Sequence, residues 1–156
     1  MVFRQLPLTV NNIDDCRALV GVDIGPTDWR VITQEHIQAF ADMTGDHQWI
    51  HVDEKRASHS PHGSTLAHGL YVLALGPGFM ASLLEFDGFS RSLNYGYNRV
   101  RFPAPIPVGS SIRMRARVTS VVDVDGGADV VITRTYERFG SVKPVCVAEN
   151  VGRYYE

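Results

Sequence analysis

The chain has 156 residues, of which 44% are hydrophobic and 21% charged, the balance of a soluble globular protein long enough to bury a core without staples. Its 15 basic and 17 acidic side chains leave a formal charge of −2, which argues against nucleic-acid binding through a general basic surface. Two cysteines, Cys16 and Cys146, stand far apart and in no CxxC spacing, too few for a disulfide framework and expected to be reduced residues of a cytoplasmic protein.

The opening "MVFRQLPLTVNNIDD" has no basic segment followed by an apolar run, so no signal peptide is expected. Gly25 and Pro26 mark a turn in "GVDIGPTDW", and a short strand is expected through Trp29–Ile32. Thr33 then suits a helix N-cap, with Glu35 in the first turn. Ile37, Phe40, Ala41 and Thr44 fall on one helical face, and Gly45 is placed to end the helix in a left-handed conformation. Asp53 is expected to cap a short second helix over Glu54–Ser58.

Leu66–Leu84, "LAHGLYVLALGPGFMASLL", is the longest apolar stretch. It contains His68, three glycines and Pro77, which favours a buried core helix over a membrane span. Ser64 or Thr65 is the expected cap, and an element apolar nearly all round should be wrapped on every side. Pro77 should kink or interrupt it. After Gly88 the pattern turns to strands: Leu93–Phe102, Ser111–Val124, Val130–Phe139 and Pro144–Tyr154, with "DVDGGAD" as a hairpin turn. In Ser111–Val124, Ile112, Met114, Ala116 and Val118 share one face and Arg113, Arg115, Arg117 and Thr119 the other. No repeat, low-complexity tract or linker interrupts the chain, so residues 1–156 read as a single α+β domain, an antiparallel sheet wrapped around a central helix.

The chemistry concentrates in "TGDHQWIHVD", Thr44–Asp53. Asp46 and His51 lie five residues apart on a segment expected to be a non-helical loop, so their side chains can converge on one point. A neutral imidazole takes a proton near pH 7 and a carboxylate exchanges another, so such a pair can hold one water and deliver its two halves. "SPHGSTLAHG", Ser60–Gly69, feeds the start of the apolar helix, where unpaired backbone N–H groups favour a polarised thioester carbonyl. Gly69, without a side chain, admits a carbonyl close to its N–H. Water-holding pair and carbonyl-polarising amide together suit adding water across an α,β-unsaturated thioester.

Three segments, "ITQEHIQAFADMTGDHQWIHVD", "GSTLAHGLYVLAL" and "NYGYNRVRFPAPIPVGSSIR", resemble the MaoC-like dehydratases, the (R)-specific enoyl-CoA hydratases with a NodN-like bacterial branch. The resemblance runs from about Gly21 to Tyr154. It implies a hot-dog fold and a homodimer with acyl-CoA along the subunit interface, the coenzyme A being part of the substrate and no separate cofactor being needed. It implies Asp46 and His51 as the catalytic pair and Gly69 as the residue whose amide polarises the thioester carbonyl. Many members carry Asn where this chain has Gln48, Pro where it has Trp49, and some carry Ser where it has Pro77. Those differences affect the walls of the site.

Trp49, His68, Asn94 and Tyr95 are further candidates for lining the substrate pocket, each with a plain packing or edge-strand role as its alternative. His47 and His51 share an H-x3-H spacing, but off a helix that spacing does not aim two imidazoles at one ion, and no metal is expected. The arginine stripe reads as a solvated strand face, with Arg99 and Arg101 as other candidates for coenzyme A phosphates. A hot-dog thioesterase, a dehydratase acting on acyl carrier protein and a non-catalytic thioester-binding subunit are the rival readings. Neither a nucleic acid nor a membrane is an expected partner.

Overall fold

The computed structural model describes residues 7–156, so part of the segment that bears on a signal peptide lies outside the described residues. Helix α2 (Gln34–Thr44) shows how local chemistry sets an element. The Thr33 hydroxyl accepts from the His36 N–H at 3.3 Å, satisfying one of the orphan donors at the helix start. Ile37 and Ala41 are buried, and Gly45 ends the helix at φ 76°, its N–H bonded to the Ala41 carbonyl at 2.8 Å. A residue with a Cβ is strained at that φ, so glycine terminates the helix and turns the chain toward Asp46.

Ahead of α2 come β1 (Leu8–Val10), α1 (Ile13–Ala18), β2 (Asp23–Ile24) and β3 (Arg30–Val31). Two single-turn helices follow it, α3 (Trp49–Val52) and α4 (Glu54–Ala57), the second capped by the Asp53 carboxylate on the Arg56 N–H at 2.9 Å. The apolar segment then forms α5 (Gly69–Ala74) and α6 (Gly76–Ala81). The strands are β4 (Leu84–Phe86), β5 (Arg91–Arg101), β6 (Ser111–Val124), β7 (Gly127–Arg138) and β8 (Cys146–Tyr155).

One antiparallel sheet runs β2-β6-β7-β8-β5, with β3 also paired to β6, while β1 and β4 form a separate parallel pair. The expected alternation holds: Ile112, Met114, Ala116 and Val118 on β6 are buried, as are Val130, Ile132 and Tyr136 on β7. They pack with Tyr71, Val72, Phe79 and Met80 of α5 and α6 and with Ile37 of α2. Each fully buried aliphatic side chain contributes about 1.5–3 kcal/mol, so this single face of the sheet holds the central helix in place. On the other face the arginine stripe is paired: Arg113 and Arg115 both reach Glu137, and Arg117 reaches Asp23.

Three expectations need correction. The central helix does not begin at Ser64 or Thr65. Residues there are extended: the Leu66 N–H bonds to Ile50 O, Ala67 N–H to Ile106 O and Val108 N–H to Thr65 O. Those bonds consume the backbone that a helix would need, and helix starts at Gly69 with His68 as its N-cap.

The helix is also shorter than its apolar run, although its break at Leu75 is the interruption expected at Pro77. Pro77 has no N–H to give the Leu73 carbonyl, and the Tyr136 hydroxyl donates to that carbonyl instead, at 3.4 Å. Gly76 makes room for this, because a Cβ there would stand 2.4 Å from Tyr136 Oη.

Third, the helix is not wrapped on every side. Leu70 is 62% exposed, and Ala74, Pro77 and Ala81 are exposed too, spaced as one stripe. Strand β5 is likewise mostly exposed and lies at the sheet's edge.

Candidate active site

Gly45 turns the chain out of α2, and Asp46 is the first residue past it, with a side chain 57% exposed. The next four residues depart from the expected open loop. Asp53 N–H bonds to Trp49 O, and Trp49–Val52 closes as the single turn α3. His51 therefore sits on a helical turn, 8% exposed. Its Nδ1 stands 2.7 Å from Leu66 O, and since a carbonyl only accepts, Nδ1 carries the hydrogen and donates. Nε2 is left as a lone-pair acceptor.

His68 precedes the helix start and is 4% exposed. Its Nε2 donates to the Asp46 carbonyl at 3.0 Å and stands 4.0 Å from Asp46 Oδ2. The His51 and His68 rings stack, with centroids 3.7 Å apart and planes 23° apart. Burial holds the His51 pKa below its ordinary value, and the neighbouring His68 pushes the same way, against the Leu66 hydrogen bond and the Asp46 charge. His51 is thus neutral near pH 7.

One atom from each of Asp46, His51 and His68 lies within 4.8 Å of the others. A single water making two hydrogen bonds of about 2.8 Å spans a gap of that size. Stacked, nearly parallel imidazoles point their lone pairs along parallel planes rather than at one ion, and His68 uses Nε2 on a carbonyl. The trio is therefore better built to hold a water than a cation.

Gly69 completes the site. Its N–H opens α5 and makes no hydrogen bond among the described residues. A Cβ at this position would meet the Phe102 ring at 2.8 Å, so only glycine leaves both the amide and the ring where they are. Asp46, His51, His68 and Gly69 line one cavity of about 410 Å³, walled by Phe40, Thr44, Leu70 and Phe102.

The structure thus brings four of the seven sequence candidates together. Trp49 is not among them: it is half-buried, with the Arg56 guanidinium 4.2 Å over its ring, outside the cavity wall. Tyr95 is 59% exposed beneath the Arg153 guanidinium, 3.8 Å away. Asn94 accepts from Asn150 Nδ2 at 2.6 Å and lines a different cavity. His47 turns to Asp42 at 2.8 Å, away from His51. Phe40 and Phe102 were missed as walls. Phe40 was legible as the residue one helical turn before Thr44, whereas Phe102 reaches the site only because β5 ends beside Gly69.

A family model described as "MaoC like domain" matches residues 16–138. The chain is 46% identical over 147 residues to the 3-hydroxyacyl-thioester dehydratase Z of Mycobacterium tuberculosis, covering 94% of this chain and 97% of that one. It is 40% identical over 111 residues to Nodulation protein N of Rhizobium meliloti, covering 67% and 66%. Among solved structures it resembles the R-hydratase PhaJ1 of Pseudomonas aeruginosa, with a TM-score of 0.71, 22% identity, and coverage of 88% and 82%. No helix among the described residues is long and apolar enough to cross a membrane. With its sheet packed on a broken central helix and its Gly-Asp-loop-His and Ala-His-Gly elements at one cavity, the chain belongs to the MaoC-like dehydratase family, hydro-lyases of hot-dog fold.

Proposed function

We propose that this protein adds water reversibly to trans-2-enoyl-CoA, giving (R)-3-hydroxyacyl-CoA, and that Asp46, His51 and Gly69 carry the step. The observation behind the reading is that Asp46 and His51 each bring one polar side-chain atom within a water's span of the other, with His51 Nε2 left as an acceptor, beside an unbonded Gly69 N–H in the same cavity. Water held by the pair gives its hydroxyl to C3 and one proton to the protein. Electrons of the C2=C3 bond move toward the thioester oxygen, where the Gly69 N–H faces the growing negative charge. The proton then passes to C2, leaving the pair as it began. Asp46 and His51 act as a unit that exchanges one proton, so neither is assigned alone as acid or base. Coenzyme A enters as part of the substrate, with no separate cofactor in the step.

Hydration chemistry is preferred to thioester hydrolysis because the matching family model and the similar curated proteins are named for dehydratases. The tuberculosis relative is named for a thioester, without its carrier. Assays with enoyl-CoA and enoyl-acyl carrier protein of equal chain length separate the two carriers.

A homodimer is part of the reading. The exposed apolar stripe of Leu70, Ala74, Pro77 and Ala81 and the open edge of β5 are surfaces that a second copy would cover. The direct test follows loss of the enoyl absorbance of crotonyl-CoA, with chiral analysis of the product. Consumption of substrate with an (R)-3-hydroxy product and no free thiol supports hydration. Release of thiol would instead assign a thioesterase.

A further inference from the structure

Position 134 on β7 lies between Ile132 and Tyr136, in a row whose other buried residues are apolar, and it is an arginine. Arg134 is 6% exposed, permanently charged, and joins none of the ion pairs among the described residues. Its one well-formed hydrogen bond runs from Nη2 to Asn150 Oδ1 at 2.6 Å, while Nε and Nη1 are buried with no carboxylate to meet them, the neutral Tyr136 hydroxyl lying beside the guanidinium. Asn150 offers the guanidinium only its Oδ1, and its Nδ2 donates to Asn94 Oδ1 and to Gly96 O, which fixes the amide's orientation. A guanidinium in this state is short of an anionic acceptor.

The two residues line a cavity of about 240 Å³ beneath α6 together with the polar Ser92 and Asn94, and its apolar wall includes Pro77, Met80 and Ala81. Pro77 and Ala81 line this cavity and Leu70 lines the candidate active site, and Leu70, Ala74, Pro77 and Ala81 form one exposed apolar stripe along the helix between them. Leu70 to Pro77 spans about 10 Å at the helical rise. Gly76 allows the approach at the far end: a Cβ there would lie 2.8 Å from Arg134 Nη1.

We infer that the acyl chain lies along this stripe, between the helix and the second copy that covers it, and that its far end carries a carboxylate received by Arg134. The preferred substrates are accordingly ω-carboxy enoyl thioesters, with Asn150 holding the guanidinium in place. A methyl-terminated chain entering the same cavity would leave Nε and Nη1 unpaired, whereas a carboxylate accepts from the planar donor fork. This inference rests on the hydratase reading above.

The experiment compares kcat/KM for methyl-terminated and ω-carboxy trans-2-enoyl-CoA of matched length, over a series of medium chain lengths, with the wild type and Arg134→Met. The expected result is a wild-type preference of roughly 10- to 100-fold for the carboxylate at the best-fitting length, abolished or reversed in Arg134→Met. Turnover of both series with no preference, or a preference for the methyl end, overturns the assignment while leaving the hydratase reading intact. Failure to hydrate either series overturns the hydratase reading itself. The wild-type comparison decides the matter even if Arg134→Met does not fold.

Discussion

The two cavities on the central helix are built from different materials. At the start of α5 the polar groups arrive on a loop, a single helical turn and a bare backbone amide, and Asp46 is open to solvent. Beneath α6 the polar groups stand on neighbouring strands, β7 and β8, and are buried. A proton-exchanging pair needs access to water and one movable water between its members, which a solvent-facing turn supplies. A fixed charge that only recognises an end group is held better by a sheet, where the strand register settles its position. On the proposed reading, the comparison teaches that reactivity goes with irregular backbone and recognition with regular backbone.

The sharpest way to break the comparison is at the reactive end. Asp46→Asn and His51→Ala are each expected to lower kcat for enoyl-CoA hydration about 10²–10⁴-fold with the far-ultraviolet circular dichroism unchanged. A near-original rate in both variants would remove the pair from the mechanism. Next comes Gly69→Ala, which drives a Cβ into the Phe102 ring. It should cost roughly tenfold or more in kcat, and the double variant with Phe102→Ala should recover part of the loss. No recovery would mean that the amide, rather than the ring, was displaced.

At the other end, Gly76→Ala puts a Cβ against Tyr136 Oη and Arg134 Nη1. A destabilisation of about 1–3 kcal/mol in urea unfolding is expected from such overpacking, and an unchanged midpoint would show that the helix break relaxes freely.

The pH profile gives a smaller effect. The His51 pKa is lowered by burial, so between its folded and ordinary values the unfolded chain binds more protons than the folded one. Stability is therefore complete above about pH 6.5, the ordinary histidine value, and falls as the pH drops through that window. The acid limb of kcat/KM should likewise lie below pH 6.5, and His68→Phe should move it upward by removing a neighbouring imidazole. An acid limb at or above 6.5 in the wild type would contradict the environment of His51. The smallest effect is reserved for Trp49→Phe. The ring lies outside the cavity under Arg56, and the chain-length profile should stay within about twofold, the scale of ordinary surface substitutions.

Much of this was legible beforehand. Thr33 and Gly45 bracketed α2 because capping and left-handed turns depend on a few adjacent atoms. The alternation of β6 named its buried face residue by residue. Asp46, His51 and Gly69 could be singled out as chemistry at a spacing, although only the fold shows them at one cavity. The start of the central helix was misplaced because Leu66 and Ala67 spend their N–H groups on Ile50 and Ile106, partners remote or unpatterned in sequence. Trp49 looked like a wall because it lies between Asp46 and His51 in the chain. One turn of helix rotates it away.

The sequence by itself determined the elements whose causes are local: caps, glycine stops, strand parity, the proline break, and a loop carrying carboxylate and imidazole. Tertiary structure alone decided which of those groups meet. His68 stacks on His51, Phe102 covers Gly69, and Arg134 faces Asn150 across a strand pair without an acid to neutralise it. Such contacts join residues 16 or more positions apart, and they follow from register and packing, which no short window of sequence contains.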